Sequence, residues 1–244
     1  EYGPIRAGGD YSIPNINRLE EISQVAHADR EALRQFLSRK FENDQRSEAA
    51  ASHNAAFSRV NGLMSCAPLF DLNQLPEQDR ERYGHGAFAQ HALQARHLIE
   101  NGSTFVMVAN GMPWDNHVFQ HEMHQMLVPE LDNVLYQLIT DLEDRSMLQD
   151  TLVIAMGEFG RTPRISNRAA REHWQHCYFS IWAGAGVQPG RCIGQSDAKA
   201  EHPVTRPITP LMAGTTISEL CGVGARERAE MKVLDGGSLI HELL

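Results

Sequence analysis

The chain has 244 residues, 42% hydrophobic and 22% charged, enough for one large domain or two small ones with a real core. Its formal net charge of -9 argues against a nucleic-acid groove or an anionic membrane surface as the main partner. No apolar run approaches the roughly 18 residues needed to cross a bilayer.

Residues 1–14, "EYGPIRAGGDYSIP", are rich in Gly and Pro and read as an irregular lead-in. From Asn15 to about Asn43, Ile16, Leu19, Ile22, Leu33, Phe36 and Leu37 recur at three- and four-residue spacing, which predicts a helix. A second helix is expected over Ser47 to Met64. A third is expected over Gly84 to Asn101, with Phe88, Ala92, Leu98 and Ile99 as its stripe. "STFVMVA" (103–109) is the first strand-like run. A helix from about His117 to Arg145 then carries Leu131, Val134, Leu135, Leu138, Ile139 and Leu142 on one face. "TLVIAM" (151–156) and "YFSIWAG" (178–184) read as further strands, and "GRCIG" (190–194) as a short fourth. Thr209 to Cys221 reads as a helix, entered by Thr-Pro and ended by Gly222.

Strands alternating with helices are the grammar of a mostly parallel sheet covered by helices, so the expected class is α/β. The expected division is a helical segment over 1–101 packed on an α/β core over 102–244. Three or four strands make a thin sheet for this length, and the first residue is Glu1 rather than Met. The sequence therefore reads as the carboxyl-terminal part of a longer fold. Cys66, Cys177, Cys192 and Cys221 are scattered without a CxxC pair, so no thiolate zinc site is indicated, while two long-range disulfides stay open.

Three polar clusters lie beside the strand-like runs: "PWDNHVFQHEMHQ" (113–125), "GEFGR" (157–161) and "REHWQH" (171–176). If the strands at 103–109 and 151–156 are parallel neighbours, Asp115, His117 and Glu158 emerge at one sheet edge, where open α/β sheets hold ligands. Imidazole plus carboxylate without thiolate is the donor chemistry of catalytic zinc, manganese or iron rather than structural zinc. His121 and His124 share a helix face with His117 and are expected outside any metal shell. "HEMH" spaces its histidines three apart, which excludes the zincin pattern. Glu158 capping a turn and Arg161 bridging to it would be the structural alternative.

"YGHGAFAQHALQARHLIENGSTFVMV", "WDNH", "DLEDRSMLQDTLVIAMGEFGRTPRI", "REHW", "AGAGVQPGRCIGQSD", "RPITPLMAGTTI" and "DGGSLIHELL" together resemble the bacterial family known as domain of unknown function 1501. The resemblance runs from about residue 60 to the end, and more loosely before it. It implies an alkaline-phosphatase-like, or sulfatase-like, fold: a mostly parallel sheet flanked by helices, with the first strands and their hydroxyl or formylglycine nucleophile outside this chain. It implies a metal-dependent hydrolase or transferase acting on small-molecule or polymer-linked phosphate or sulfate esters, with a non-catalytic metal- or anion-binding scaffold as the alternative.

By the same resemblance, Asp115, His117 and His173 would hold a divalent metal, zinc being expected and manganese or calcium the alternatives. Glu158 would take a second metal or orient His173 or a water. Arg161 would stabilise charge on the transferring group, and Trp114 and Trp174 would wall the pocket. Phe159 stands where a second-metal histidine would be. Twin-arginine export signals common in the family imply an exported, periplasmic setting, and no oligomeric state follows.

Overall fold

A computed structural model of the chain describes residues 16–45, 48–110 and 114–244, so the lead-in at 1–14 lies outside the described residues. The chain forms two compact units, residues 1–110 and 111–244, against an expected division at 101/102. Among the described residues no helix is long and apolar enough to cross a membrane. All four cysteines are free thiols, so neither long-range disulfide is formed.

The first unit is helical. Helices α1 (Gln24–Gln45) and α2 (Glu48–Ser65) pack as a pair. Arg34 links them: its Nη1 donates to Asn54 Oδ1 at 2.7 Å, while Nε donates to Glu31 at 2.8 Å. The helix starts later than its periodicity predicts, since Ile16, Leu19 and Ile22 precede α1, and Leu33, Phe36 and Leu37 within it are each more than half exposed. Burial follows in α4 (Ala87–Glu100) instead, where Ala92, Leu93, Gln94, Ala95 and Arg96 are all buried. A short helix that the sequence reading missed, α3 (Glu77–Tyr83), packs on α4. Asp79 from α3 meets the buried guanidinium of Arg96 at 2.7 Å, so the charge is not left in an apolar setting uncompensated.

The run 103–109 is not a strand. It is irregular and has no ladder partner among the described residues, and Phe105 is 80% exposed. Its apolar, β-prone composition predicts strand, but a ladder also requires a partner, which no local pattern specifies.

The second unit begins with α5 (Gln120–Asp144), whose Leu127, Val134 and Leu142 are buried, with the rest of the expected stripe half-buried. Strand β1 (Val153–Met156) pairs with β4 (Ser180–Ala183), and between them β2 (Gly160–Arg161) pairs with β3 (His173–Trp174). Both pairs are antiparallel. The expectation of a mostly parallel sheet is therefore corrected: among the described residues the architecture is mixed α/β with two small antiparallel ribbons. The apolar runs at 153–156 and 180–183 read as buried parallel strands because both faces are apolar. Composition carries no information about strand direction, and here the chain folds back on itself.

"GRCIG" forms no strand either; the following segment makes only an isolated bridge, Ser196 to Pro203. Gly184 closes the β1–β4 ribbon at φ +82°, where a Cβ would stand 2.1 Å from the Thr151 carbonyl oxygen. Helix α6 (Pro210–Leu220) starts as expected, with Thr209 accepting a hydrogen bond from the Met212 amide at 3.2 Å. Its Met212 packs with Ile240, Leu243, Trp182, Val187 and Ile193 in the core of this unit. Burial of each large apolar side chain there contributes about 1.5–3 kcal/mol. A last short helix, α7 (Ala225–Met231), was not anticipated.

Candidate metal centre

The β2–β3 ribbon is the frame of the site. Its register sets Arg161 opposite His173 and Gly160 opposite Trp174, so Arg161 and His173 share one face. Gly160 is required for close approach. A Cβ there would lie 2.0 Å from the Cys177 carbonyl oxygen, and its φ is not in the left-handed range.

Onto this face comes the segment 114–117. Arg161 draws it in: Nη2 donates to the Trp114 carbonyl at 3.3 Å, and Nη1 to the carbonyls of Asn116 and Arg171 at 3.4 Å each. The same guanidinium donates to Asp115 Oδ1. The amides of Phe119 and Gln120 donate to the carbonyls of Arg168 and Ala169, which fixes the start of α5 against the 162–172 loop.

As a result Asp115, His117 and His173 converge. His173 Nε2 lies 2.8 Å from Asp115 Oδ1, and His117 Nδ1 lies 3.7 Å from the same oxygen. One ligand atom from each of the three fits within 4.8 Å of the others. Four-coordinate zinc, with bonds near 2 Å, keeps its ligands about 3–3.5 Å apart, so small side-chain movements would close the set on an ion. The donors also fit: two imidazoles and a carboxylate form an open ligand set. All three side chains are 39–57% exposed, leaving one side of the group open to solvent.

The electrostatics follow from these contacts. Arg161 first, and His173 second, hold the Asp115 carboxyl below its ordinary value of 3.8. His124 is lowered mainly by burial, with the positive charge of Arg161 adding to the effect. His124 packs tilted against Trp114, ring centroids 5.6 Å apart, and both His121 and His124 lie outside the Asp115, His117 and His173 group. Phe159 lies 4.1 Å from His173, centroid to centroid, so it holds that imidazole in place.

The other sequence-derived site residues take different places. Glu158 is exposed and outside the three-residue ligand group. Arg161 is within the site, its side chain 16% exposed, but the contacts described above run to the chain's own carboxylate and carbonyls. Trp114 lies beside the group. Trp174, next to His173 on β3, packs against His176 and His202, and its Nε1 donates to the Glu201 carbonyl at 2.7 Å.

Two residues carry structure that sequence reasoning left without a role. Glu172 Oε2 lies 3.5 Å from His117 Nε2. Arg171 donates to the carbonyls of Thr162 and Pro163, both at 2.9 Å, bracing the loop. Their only sequence signal is their place beside His173.

Fold and site together define a mixed α/β protein with an exposed His/His/Asp cluster. The chain belongs to the family described as protein of unknown function (DUF1501), whose model matches residues 2–243. No curated protein and no solved structure matched the chain.

Proposed function

We propose that Asp115, His117 and His173 bind one divalent metal ion, zinc in the first instance, and that the chain is the core of a metal-dependent hydrolase or transferase of the alkaline-phosphatase or sulfatase type. The observation that carries this reading is the convergence of two imidazoles and a carboxylate within 4.8 Å on a solvent-open face. The substrate class is a phosphate or sulfate ester, either a small molecule or a group on a polymer; an open face suits both.

A metal here would supply Lewis acidity toward a phosphoryl or sulfuryl oxygen. The chain's own residues do the rest. Asp115 and the two histidines hold and orient the ion. Arg161 fixes Asp115 and its loop, acting on the ester only through them, while Phe159 fixes the plane of His173. The bulky Trp114 borders the approach.

A second reading is favoured by one observation: Arg161, the group expected to face the ester, directs its contacts at Asp115 and three carbonyls. On that reading the cluster is a metal- or anion-binding scaffold without turnover. Metal analysis of chelator-free protein, with turnover of chromogenic phosphate and sulfate esters in added zinc or manganese, tests both. Turnover lost in His117→Ala supports the enzyme; bound metal without turnover, in this chain and equally in a longer form carrying the first-strand nucleophile that the resemblance implies, supports the scaffold. Absence of metal defeats the enzyme and the metal-binding scaffold and leaves the anion-binding scaffold alone.

A further inference from the structure

The His117 ring has two nitrogens, and they face different carboxylates. Nδ1 is on the side of Asp115 Oδ1, at 3.7 Å, and Nε2 is on the side of Glu172 Oε2, at 3.5 Å. We propose that Glu172 is a positioning residue for this site: its carboxylate accepts the Nε2–H of His117 and so turns the Nδ1 lone pair toward Asp115 and His173. This rests on the metal-site reading above.

A neutral imidazole has one donor and one acceptor nitrogen, and the partner of one decides the role of the other. His117 has a competing choice, because its Nδ1 is also 3.2 Å from the Asp115 carbonyl oxygen. An Nδ1–H bonded to that carbonyl would aim the Nε2 lone pair at the Glu172 carboxylate. Lone pair would then face lone pair, an arrangement the negative charge disfavours. In the Nε2–H form the Nδ1 lone pair faces the Asp115 carbonyl and Oδ1, a cost that a cation on Nδ1 removes, so the Glu172 carboxylate favours the tautomer that leaves Nδ1 available as a ligand. Metal-bound histidines commonly donate their outer N–H to a carboxylate in this way.

Glu172 is well placed for the task. Its backbone is tied to Thr162 at both ends: the Glu172 amide donates to Thr162 Oγ1 at 3.0 Å, and its carbonyl accepts from the Thr162 amide at 2.9 Å. The carboxylate itself is exposed, so it can close the remaining few tenths of an ångström without repacking a core.

The test uses the whole chain, with Glu172→Ala and Glu172→Gln. Histidine-ring nitrogen NMR of metal-free protein reads the His117 tautomer, and zinc titration against a competing chelator reads affinity. The unsubstituted chain should show the Nε2–H form. In Glu172→Ala, His117 should shift toward Nδ1–H and zinc should bind about 10–100-fold more weakly. In Glu172→Gln, where the amide oxygen still accepts, the Nε2–H form should persist and the affinity loss should be smaller than in the alanine variant.

Unchanged tautomer and affinity in Glu172→Ala, with zinc still bound by the unsubstituted chain, would overturn the role of Glu172 and leave the metal site standing. A loss as large as that of His117→Ala would make Glu172 a ligand, and the positioning role would fall. No zinc binding by the unsubstituted chain would remove both.

Discussion

Asp115 Oδ1 and His173 Nε2 lie 2.8 Å apart although the residues are 58 positions apart in the chain. The same oxygen receives Arg161, the cross-strand partner of His173. One carboxylate oxygen therefore joins the 114–117 loop to both strands of the β2–β3 ribbon. Without a metal this is an ion-pair network, already compensated in charge. With a metal, His173 would have to turn its Nε2 lone pair to the ion rather than a proton to Asp115.

The first prediction concerns stoichiometry. Protein purified without chelator should bind one equivalent of zinc. His173→Ala and His117→Ala should each weaken binding by more than the 10–100-fold typical of outer-shell changes. Elemental analysis and chelator competition measure this, and full retention of metal in His173→Ala would exclude that residue as a ligand.

Glu158→Ala should leave zinc affinity within about twofold of the unsubstituted chain, because Glu158 is exposed and outside the ligand group. The same titration decides the point. A large loss would restore Glu158 as a ligand.

Arg161→Lys should destabilise the fold by about 1–3 kcal/mol, since one ammonium cannot reach three carbonyls spread over two segments as a planar guanidinium does. Urea unfolding of the whole chain reads the loss. A midpoint equal to that of the unsubstituted protein would mean the carbonyl contacts contribute nothing net.

Acid should release the Asp115 network at a lower pH than an ordinary aspartate would. The folded-state value is depressed below 3.8 by Arg161 and His173, so the stabilisation is present above the unfolded value and is lost as pH falls through the folded one. Carboxyl-carbon NMR of metal-free protein should place the Asp115 midpoint below 3.8, and Arg161→Ala should move it upward. A midpoint unmoved by that substitution would contradict the assigned cause.

Gly160→Ala should be among the most damaging single changes in the second unit. Its Cβ would stand 2.0 Å from a backbone oxygen, which cannot swing aside as a flexible side chain can. Overpacking of this kind costs about 1–3 kcal/mol or more. Thermal melting of the variant, with zinc affinity alongside, should show both falling; a stable variant with unchanged affinity would show that the ribbon tolerates opening there.

The helices were legible wherever a cap or a long stripe marked them. Thr209 and Pro210 announced α6, and the spacing of Val134, Leu138 and Leu142 announced α5. Sheet topology was not legible. Residues 103–109 have strand composition without a described ladder partner, and pairing depends on segments far away in the chain. Strands β2 and β3 are two residues each, too short for any periodicity. The convergence of Asp115, His117 and His173 was legible through the "WDNH" and "REHW" strings and the family resemblance. Glu172 was not, because nothing local distinguishes it from any other surface glutamate; its relation to His117 exists only once the ribbon has brought residue 172 beside the 114–117 loop.

The β2–β3 ribbon also works as a reading frame. Adjacent residues in a strand point to opposite faces, so the side chain presented to Asp115 is set by register and not by local composition. A slip of one position would offer Asp115 the indole of Trp174 or the carboxylate of Glu172 in place of the imidazole. The first cannot accept a metal and the second adds like charge. Changes of length that leave the Thr162–Glu172 pairing intact would be absorbed by the loop it closes, whereas one residue added between Arg161 and Thr162, or between Glu172 and His173, would garble the site while leaving every one of its residues in the chain.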